Sequence, residues 1–379
     1  MKILQINAAY KPAYVYGGPT MSVSKLSEQL SKHGHHIAVF TTTANGLEEL
    51  PVTRNIPQNV DGVPVTYFKR LTKDHSHFSP WLLIRLWKEV RKYDVVHIHA
   101  WWNLVSVLSC LISCMRGVPV VLSPRGTLSP YSFGNNHILI KKMLHKLIGR
   151  SLLNRCYLHT TSAREQEAMY KLLKPKGIFN IHNAVNLPAI FPKQSLDQTV
   201  LVLKLLFFSR IDPKKGLELL FAALSEISIP YSLTIAGNGD ENYITYLKEL
   251  ARHYQIEHSL TWLGFKNNHK FELIAGHHLL VLPSYDENFG NVVIESLGVG
   301  TAVLISKEVG LAQYVKKNNL GWICETAASS IKKNLVHIYH NPGTLNIIRE
   351  FAPFIVTNEF NEDKLIEQYV VMYQQISLA

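Results

Sequence analysis

Residues 279–296 read LLVLPSYDENFGNVVIES, and the fold of the whole chain follows from how that stretch is read. Leu279 to Pro283 is a short apolar run of the kind that forms a strand buried on both faces. A helix starts near Gly290, so the residues between form a strand-to-helix turn. The turn holds Glu287, and Glu295 follows eight positions later. At such a helix start the amides of Phe289, Gly290, Asn291 and Val292 would face outward, and with the helix dipole they suit an anion. Glycine lets the backbone approach a phosphate with no Cβ in the way. Glu295, about one turn into the helix, would accept the two vicinal hydroxyls of a ribose, and Glu287 would face a sugar beyond the diphosphate. The plainer alternative makes Glu287 a surface loop residue and Glu295 a buried capping partner.

Similar punctuation recurs in both directions. KILQIN, HIAVFTT, PVTYF, DVVHIH, VPVVLS, YLHTTS and IFNIH occur in the first half, and LLFFS, SLTIAG, LTWLG, LLVLP and AVLIS in the second. Apolar strands alternating with helical stretches predict α/β architecture with parallel sheets covered on both faces. The rhythm pauses at residues 187–198, LPAIFPKQSLDQ, which reads as a linker. The expected organisation is therefore two doubly wound, Rossmann-like domains facing a central cleft, residues 1–190 and 191–361. Residues 362–379 add a closing helix, with Leu365, Tyr369, Val370 and Tyr373 at helical spacing.

Composition narrows the partners. Residues 1–190 carry 23 Lys and Arg against 9 Asp and Glu, whereas residues 191–379 carry 16 against 19, so an anionic partner is expected for the first half only. The segment Ile140–Arg150 is read as a helix with one apolar and one basic side. It either packs on a sheet or lies on an anionic membrane. Nucleic acid fits poorly, since the basic residues form no aromatic-interleaved strand surface. Cys110, Cys114, Cys156 and Cys324 match neither a disulfide framework nor a zinc site and read as buried free thiols in a reducing, cytoplasmic compartment. The N-terminal MKILQINAAY is a strand pattern without a signal sequence, and the longest apolar stretch, Leu104 to Met115, is too short to span a bilayer.

Four further motifs sit at predicted strand ends. In FSRIDPKKG (208–216), Arg210 and Lys215 bridge a loop and would neutralise a diphosphate as it leaves, in place of a metal ion; a solvated basic turn is the alternative. Gly17 and Gly18 follow the first strand and form no dinucleotide fingerprint. In DVVHIHAWWN (94–103), His97 turns into the sheet interior and His99 is placed to bond a sugar hydroxyl. Trp101 or Trp102 would stack on a sugar ring or lipid, with core packing open for one of them. In SPRGTLSPYSF (123–133), Arg125 would hold an acceptor phosphate and Tyr131 would line the same acceptor site. No two of the eight aspartates are separated by a single residue, so the D-x-D motif of metal-dependent sugar transferases is missing and no metal cofactor is expected.

These residues together resemble family 4 of the retaining GT-B glycosyltransferases. The E-x7-E pair is matched by Glu287 and Glu295, the arginine and lysine by Arg210 and Lys215, the Gly-Gly loop by Gly17 and Gly18, and the strand-end histidine by His99. AGNG (236–239) and WLGF (262–265) fall where the family wraps the nucleotide, which implies donor contacts at Gly237, Asn238, Gly264 and Phe265. Asn-Ala-Val at 183–185, SLGVGTA after Glu295 and Gln313 depart from the family pattern. The resemblance implies a nucleotide-sugar donor, UDP-linked by expectation, held by the second domain and a saccharide acceptor held by the first. It also implies a final helix returning to the first domain. The segment PRGTLSP looks like enzymes of bacterial polysaccharide synthesis, and with the basic first half it gives the expectation of a lipid-linked acceptor at the inner face of the membrane. A sugar-nucleotide 2-epimerase and a non-catalytic nucleotide-sugar binding protein are the alternatives.

Overall fold

A computed structural model describes residues 1–129, 131–132, 149–188, 201–266 and 269–378. It divides into two compact units, one of Met1–Ala184 with the closing segment from Glu362, the other of Val185–Asn361. The division falls a little before the 190/191 junction expected from the sequence. The expected linker from residue 189 onward, and residues 140–148 of the basic segment, lie outside the described residues.

In the first unit the described strands are β1 (Lys2–Ile6), β2 (His36–Thr42), the short pair β3 (Ala44–Asn45) and β4 (Glu48–Glu49), β5 (Gln58–Val60), β6 (Val63–Phe68), β7 (Val95–His99), β8 (Val120–Ser123), β9 (Tyr157–Thr160) and β10 (Gly177–Asn180). Apart from the β3–β4 pair they form one sheet in the order β10-β9-β8-β7-β1-β2-β6-β5, parallel except where β5 meets β6. Strand side chains alternate between faces. In β1, Ile3 joins one apolar cluster and Leu4 and Ile6 another, so both faces are covered. Chain order reverses between β1 and β7, the crevice where a doubly wound sheet receives ligands. Helices α1 (Gly18–Lys32), α2 (Pro80–Glu89) and α3 (Leu104–Met115) follow β1, β6 and β7. α1 starts earlier than its apolar pattern suggests because Pro19, with φ preset for helix, occupies its first turn.

The second unit has β11 (Leu203–Phe208), β12 (Tyr231–Ala236), β13 (Leu260–Gly264), β14 (Leu279–Leu282), β15 (Ala302–Ser306) and β16 (Gly321–Cys324). They form a wholly parallel sheet in the order β13-β12-β11-β14-β15-β16. The reversal lies between β11 and β14, so the loops leaving Phe208 and Leu282 are neighbours. Gly216 lets them close up, and Gly237, just past β12, lets that strand's loop close on the β11 loop. A Cβ on Gly216 (φ +67°) would lie 2.4 Å from the Pro283 carbonyl oxygen, and one on Gly237 1.8 Å from that of Ser209. After β14 the chain turns into helix α4 (Asn291–Gly298), capped by Gly290 at φ +89°.

The last helix, α5 (Glu362–Ser377), belongs to the first unit. Its Leu365, Ile366, Tyr369, Met372, Tyr373 and Ile376 are buried, a stripe at three- and four-residue spacing. Each such apolar side chain stabilises by roughly 1.5–3 kcal/mol on burial. Lys25 of α1 fixes the helix start through Glu362 at 2.5 Å.

Candidate active site

At the reversal point of the second unit, Lys215 Nζ is ion-paired and hydrogen-bonded to Glu287 Oε2. The neighbouring pair, Lys214 with Asp286, is 2.7 Å apart. The Lys214 carbonyl accepts from Tyr285 N at 2.9 Å, tying the β11 loop to the β14 loop. Glu287 is fixed from its other side: its N–H donates to Glu308 O at 3.2 Å and its carbonyl accepts from Gly310 N at 2.8 Å. A Cβ at Gly290 would meet Val293 and Val309 methyl groups at 3.3 Å and the Glu287 Cγ at 3.4 Å. Burial alone would raise the Glu287 pKa. The attraction of Lys215, its hydrogen bond, and the charges of Lys214 and Arg210 outweigh burial and hold it below the usual glutamate value. Arg210 itself is exposed and lies 3.6 Å from Asp212.

The other residues expected to contact a donor end on the same edge of the sheet. Gly237 N donates to Gly264 O at 2.8 Å, and Asn238 O accepts from Ile211 N at 2.8 Å, so the ends of β11, β12 and β13 are laced together. Asn238, Gly264 and Phe265 are exposed there. Phe289 is buried against Phe360, while Asn291 and Val292 are half-buried in the first turn of α4. Glu295 is buried and paired with Lys270 at 2.5 Å, and the Lys270 ammonium also lies 5.5 Å over the Phe208 ring. Lys270 carries no signal in the sequence, since a single lysine after an irregular loop is unremarkable.

In the first unit the site is a buried hydrogen-bond chain. Arg125 Nε–H donates to His99 Nδ1 at 3.2 Å, and His99 Nε2–H to Gln5 Oε1 at 2.7 Å. Gln5 Nε2–H donates to Tyr373 Oη at 3.3 Å, and Tyr373 O–H to His97 Nδ1 at 2.7 Å. His97 Nε2–H donates to Ser123 Oγ at 2.6 Å, Ser123 O–H to His159 Nδ1 at 2.5 Å, and His159 Nε2–H to the Ile181 carbonyl at 2.9 Å. Arginine can only donate and a carbonyl can only accept, so both ends fix every proton between them. All three histidines are neutral. Burial lowers their pKa first, neighbouring imidazoles and Arg125 add to it, and His159 falls to about 3.

Three expectations are corrected by this arrangement. His99 is fully buried with both ring nitrogens engaged, so it does not offer an imidazole nitrogen to a sugar hydroxyl. Trp101 is 1% exposed within the core and is not placed to stack on an acceptor. Arg125 spends Nε on His99 and Nη1 on Asn183 Oδ1 at 2.9 Å, so its first role is to tie these residues together rather than to wait for a phosphate. Trp102 is half-buried and donates its indole N–H to Thr127 O at 2.6 Å; Tyr131 is half-buried too. Gly17 caps α1 with open space beside it, and Gly18 is exposed. The sulfurs of Cys110, Cys114 and Cys156 lie within 4.8 Å of one another, a grouping that their sequence spacing did not reveal.

Comparison with known proteins places these features. Residues 16–188 match the family model described as Glycosyltransferase Family 4, and residues 193–353 match Glycosyl transferases group 1. An uncharacterized glycosyltransferase of Methanocaldococcus jannaschii is 26% identical, over 99% of this chain and 98% of that protein. Sucrose-phosphate synthase from Thermosynechococcus elongatus superposes with TM-score 0.80 at 19% identity, covering 99% of this chain and 98% of that one. Anabaena HepE, solved in complex with UDP and glucose, gives TM-score 0.78 at 18% identity, covering 99% and 100%. With a model matched on either side of the junction and that fold shared end to end, the chain is a GT-B glycosyltransferase of the family 4 type.

Proposed function

We propose that the protein transfers a sugar, with retention at the anomeric carbon and without a metal ion, from a UDP-linked donor to a lipid-linked saccharide acceptor at the cytoplasmic face of the membrane. The observation that carries this reading is the Lys215–Glu287 pair at the reversal point of the second sheet, with Lys214 and Arg210 close enough to depress the Glu287 pKa. HepE, of the same fold, was solved with UDP, which favours uridine as the donor base. As the bond from the anomeric carbon to the diphosphate breaks, charge accumulates on the departing phosphate. Arg210, Lys215 and the amides at the start of α4 would stabilise that charge without reorganising, at about 3–4 kcal/mol for a single well-placed donor. Glu287, held ionised by Lys215, would orient the donor sugar. The incoming hydroxyl would give its proton to the leaving phosphate oxygen on the same face while its own oxygen bonds the anomeric carbon, so configuration is retained. In the first unit Trp102 and Tyr131 would meet the acceptor, with Arg125 and His99 supporting them from beneath.

A thermal-shift panel of UDP- and GDP-sugars identifies the donor, since a ligand at 100 times its Kd stabilises by about 2.7 kcal/mol. Lys215→Ala and Glu287→Ala, each with an unchanged circular dichroism spectrum, should then lose transfer by roughly 100- to 1000-fold in kcat. Unchanged turnover in either variant refutes the assignment. Release of free UDP that tracks added acceptor excludes the epimerase and binding-protein alternatives.

A further inference from the structure

α2 presents two faces that cannot both be explained by packing within the unit. Leu82 and Leu86, with Val90 just beyond the helix, are fully buried and hold it to the sheet. On the opposite side a solvated helix would carry Glu, Lys or Gln. Here it carries Trp81, Ile84 and Trp87, exposed by 41%, 55% and 43%. Leu104 and Met115, at the two ends of the neighbouring α3, are exposed as well. Scattered single apolar residues on a surface are ordinary, but two tryptophans and an isoleucine on one short helical face form a patch.

The charges around the patch are predominantly basic. Arg85 lies between Ile84 and Trp87, Lys88, Arg91 and Lys92 follow, and the Arg116 guanidinium lies 5.0 Å over the Trp87 ring. Glu89, on the side of α2 next to the patch, is taken up by Arg85 at 2.8 Å and Lys92 at 3.0 Å. Tryptophan rings settle at the boundary between lipid chains and water, and Lys and Arg stems extend beside them to reach phosphate headgroups. No described helix is long and apolar enough to cross a membrane, so attachment by this unit would be superficial.

We infer that the outer face of α2 docks on an anionic lipid surface, with Trp81, Ile84 and Trp87 entering the headgroup boundary and Lys88 and Arg91 bonding lipid phosphates. The inference deepens the reading of a lipid-linked acceptor and rests on it for its biological sense, but it is tested separately. The purified protein is sedimented with phosphatidylethanolamine vesicles, with and without phosphatidylglycerol, alongside Trp81→Ser/Trp87→Ser and Lys88→Glu/Arg91→Glu. Wild type should pellet with the phosphatidylglycerol vesicles only and be released by high salt. Each double variant should partition roughly tenfold less or weaker still. Both should keep the circular dichroism spectrum and the rate of transfer to a detergent-free oligosaccharide acceptor. Equal partition of wild type and the charge-reversed variant, or no partition of wild type at low salt, overturns the inference. So does concentration-dependent self-association abolished by the tryptophan changes, which would assign the patch to a second copy of the chain. Loss of transfer by Lys215→Ala with vesicle binding intact separates this result from the fate of the enzymatic reading.

Discussion

At the end of β7 the chain sends Trp101 into the core and leaves Trp102 half out, with its indole bonded to Thr127. Trp101→Ala removes a fully buried indole and should cost about 3–5 kcal/mol, seen as a lowered urea midpoint. Trp102→Ala should cost far less stability and act on the acceptor KM instead. A Trp101 variant of native stability with a raised acceptor KM would reverse these roles. The contrast also shows where the sequence was readable. Lys215 and Glu287 could be read as neighbours because their placement is local: each lies in a loop directly after an apolar strand, and the structure pairs them where those two loops meet. His99 and Trp101 also follow an apolar strand, yet their surroundings come from afar. Gln5 and Tyr373 lie near opposite ends of the chain, and nothing within DVVHIHAWWN tells which ring they meet.

α5 makes that distance concrete. Its periodicity is plain from Leu365 to Tyr373, but the two hydroxyls on its buried stripe are not apolar surface at all. Tyr373 O–H bridges Gln5 and His97, and Tyr369 O–H donates to His182 O at 3.2 Å. A helix held only by greasy contacts could slide by a turn; one whose tyrosines complete a one-way chain of protons has a single register. Tyr373→Phe leaves the Gln5 amide and His97 Nδ1 facing each other with neither bridged, which should cost about 1–3 kcal/mol. Chemical denaturation of the Phe variant measures this, and a cost near zero would show that the chain contributes nothing to register. Other elements were legible to the extent that they are apolar and continuous. The strands from β6 to β15 were each visible as such a run. β3, β4 and β5 are too short and polar to register, and β16, half-buried at the sheet edge and opened by Gly321, shows no strong run of its own.

For the molecule as a whole the buried histidines set how stability responds to pH. His97, His99 and His159 stay neutral when folded because burial and nearby positive charge oppose protonation, whereas an unfolded histidine titrates near 6.5. Below about pH 6.5 the unfolded chain therefore binds protons that the folded chain refuses, so stability is present above that pH and is lost on acidification. Each refused proton contributes a slope of about 1.4 kcal/mol per pH unit, so the three together approach about 4 kcal/mol per unit between pH 6 and 5. The Glu287 pKa is depressed as well, and its contribution is also lost on acidification, but it is complete above about pH 4.3 and fades only in stronger acid. The two effects thus occupy different windows. Thermal unfolding followed from pH 7.5 to 5 should show Tm falling steeply below 6.5, long before the Lys215–Glu287 pair is titrated. Burial also lowers His77 and His278 to about 4, so at least five imidazoles refuse protons across this range. His159→Gln removes one refused proton and should flatten that limb by about a fifth, even if the variant starts from a lower Tm. A wild-type Tm that is level across this range would mean that the three imidazoles do take up protons in the folded state, and that the proton order from Arg125 to Ile181 is not the one maintained in solution.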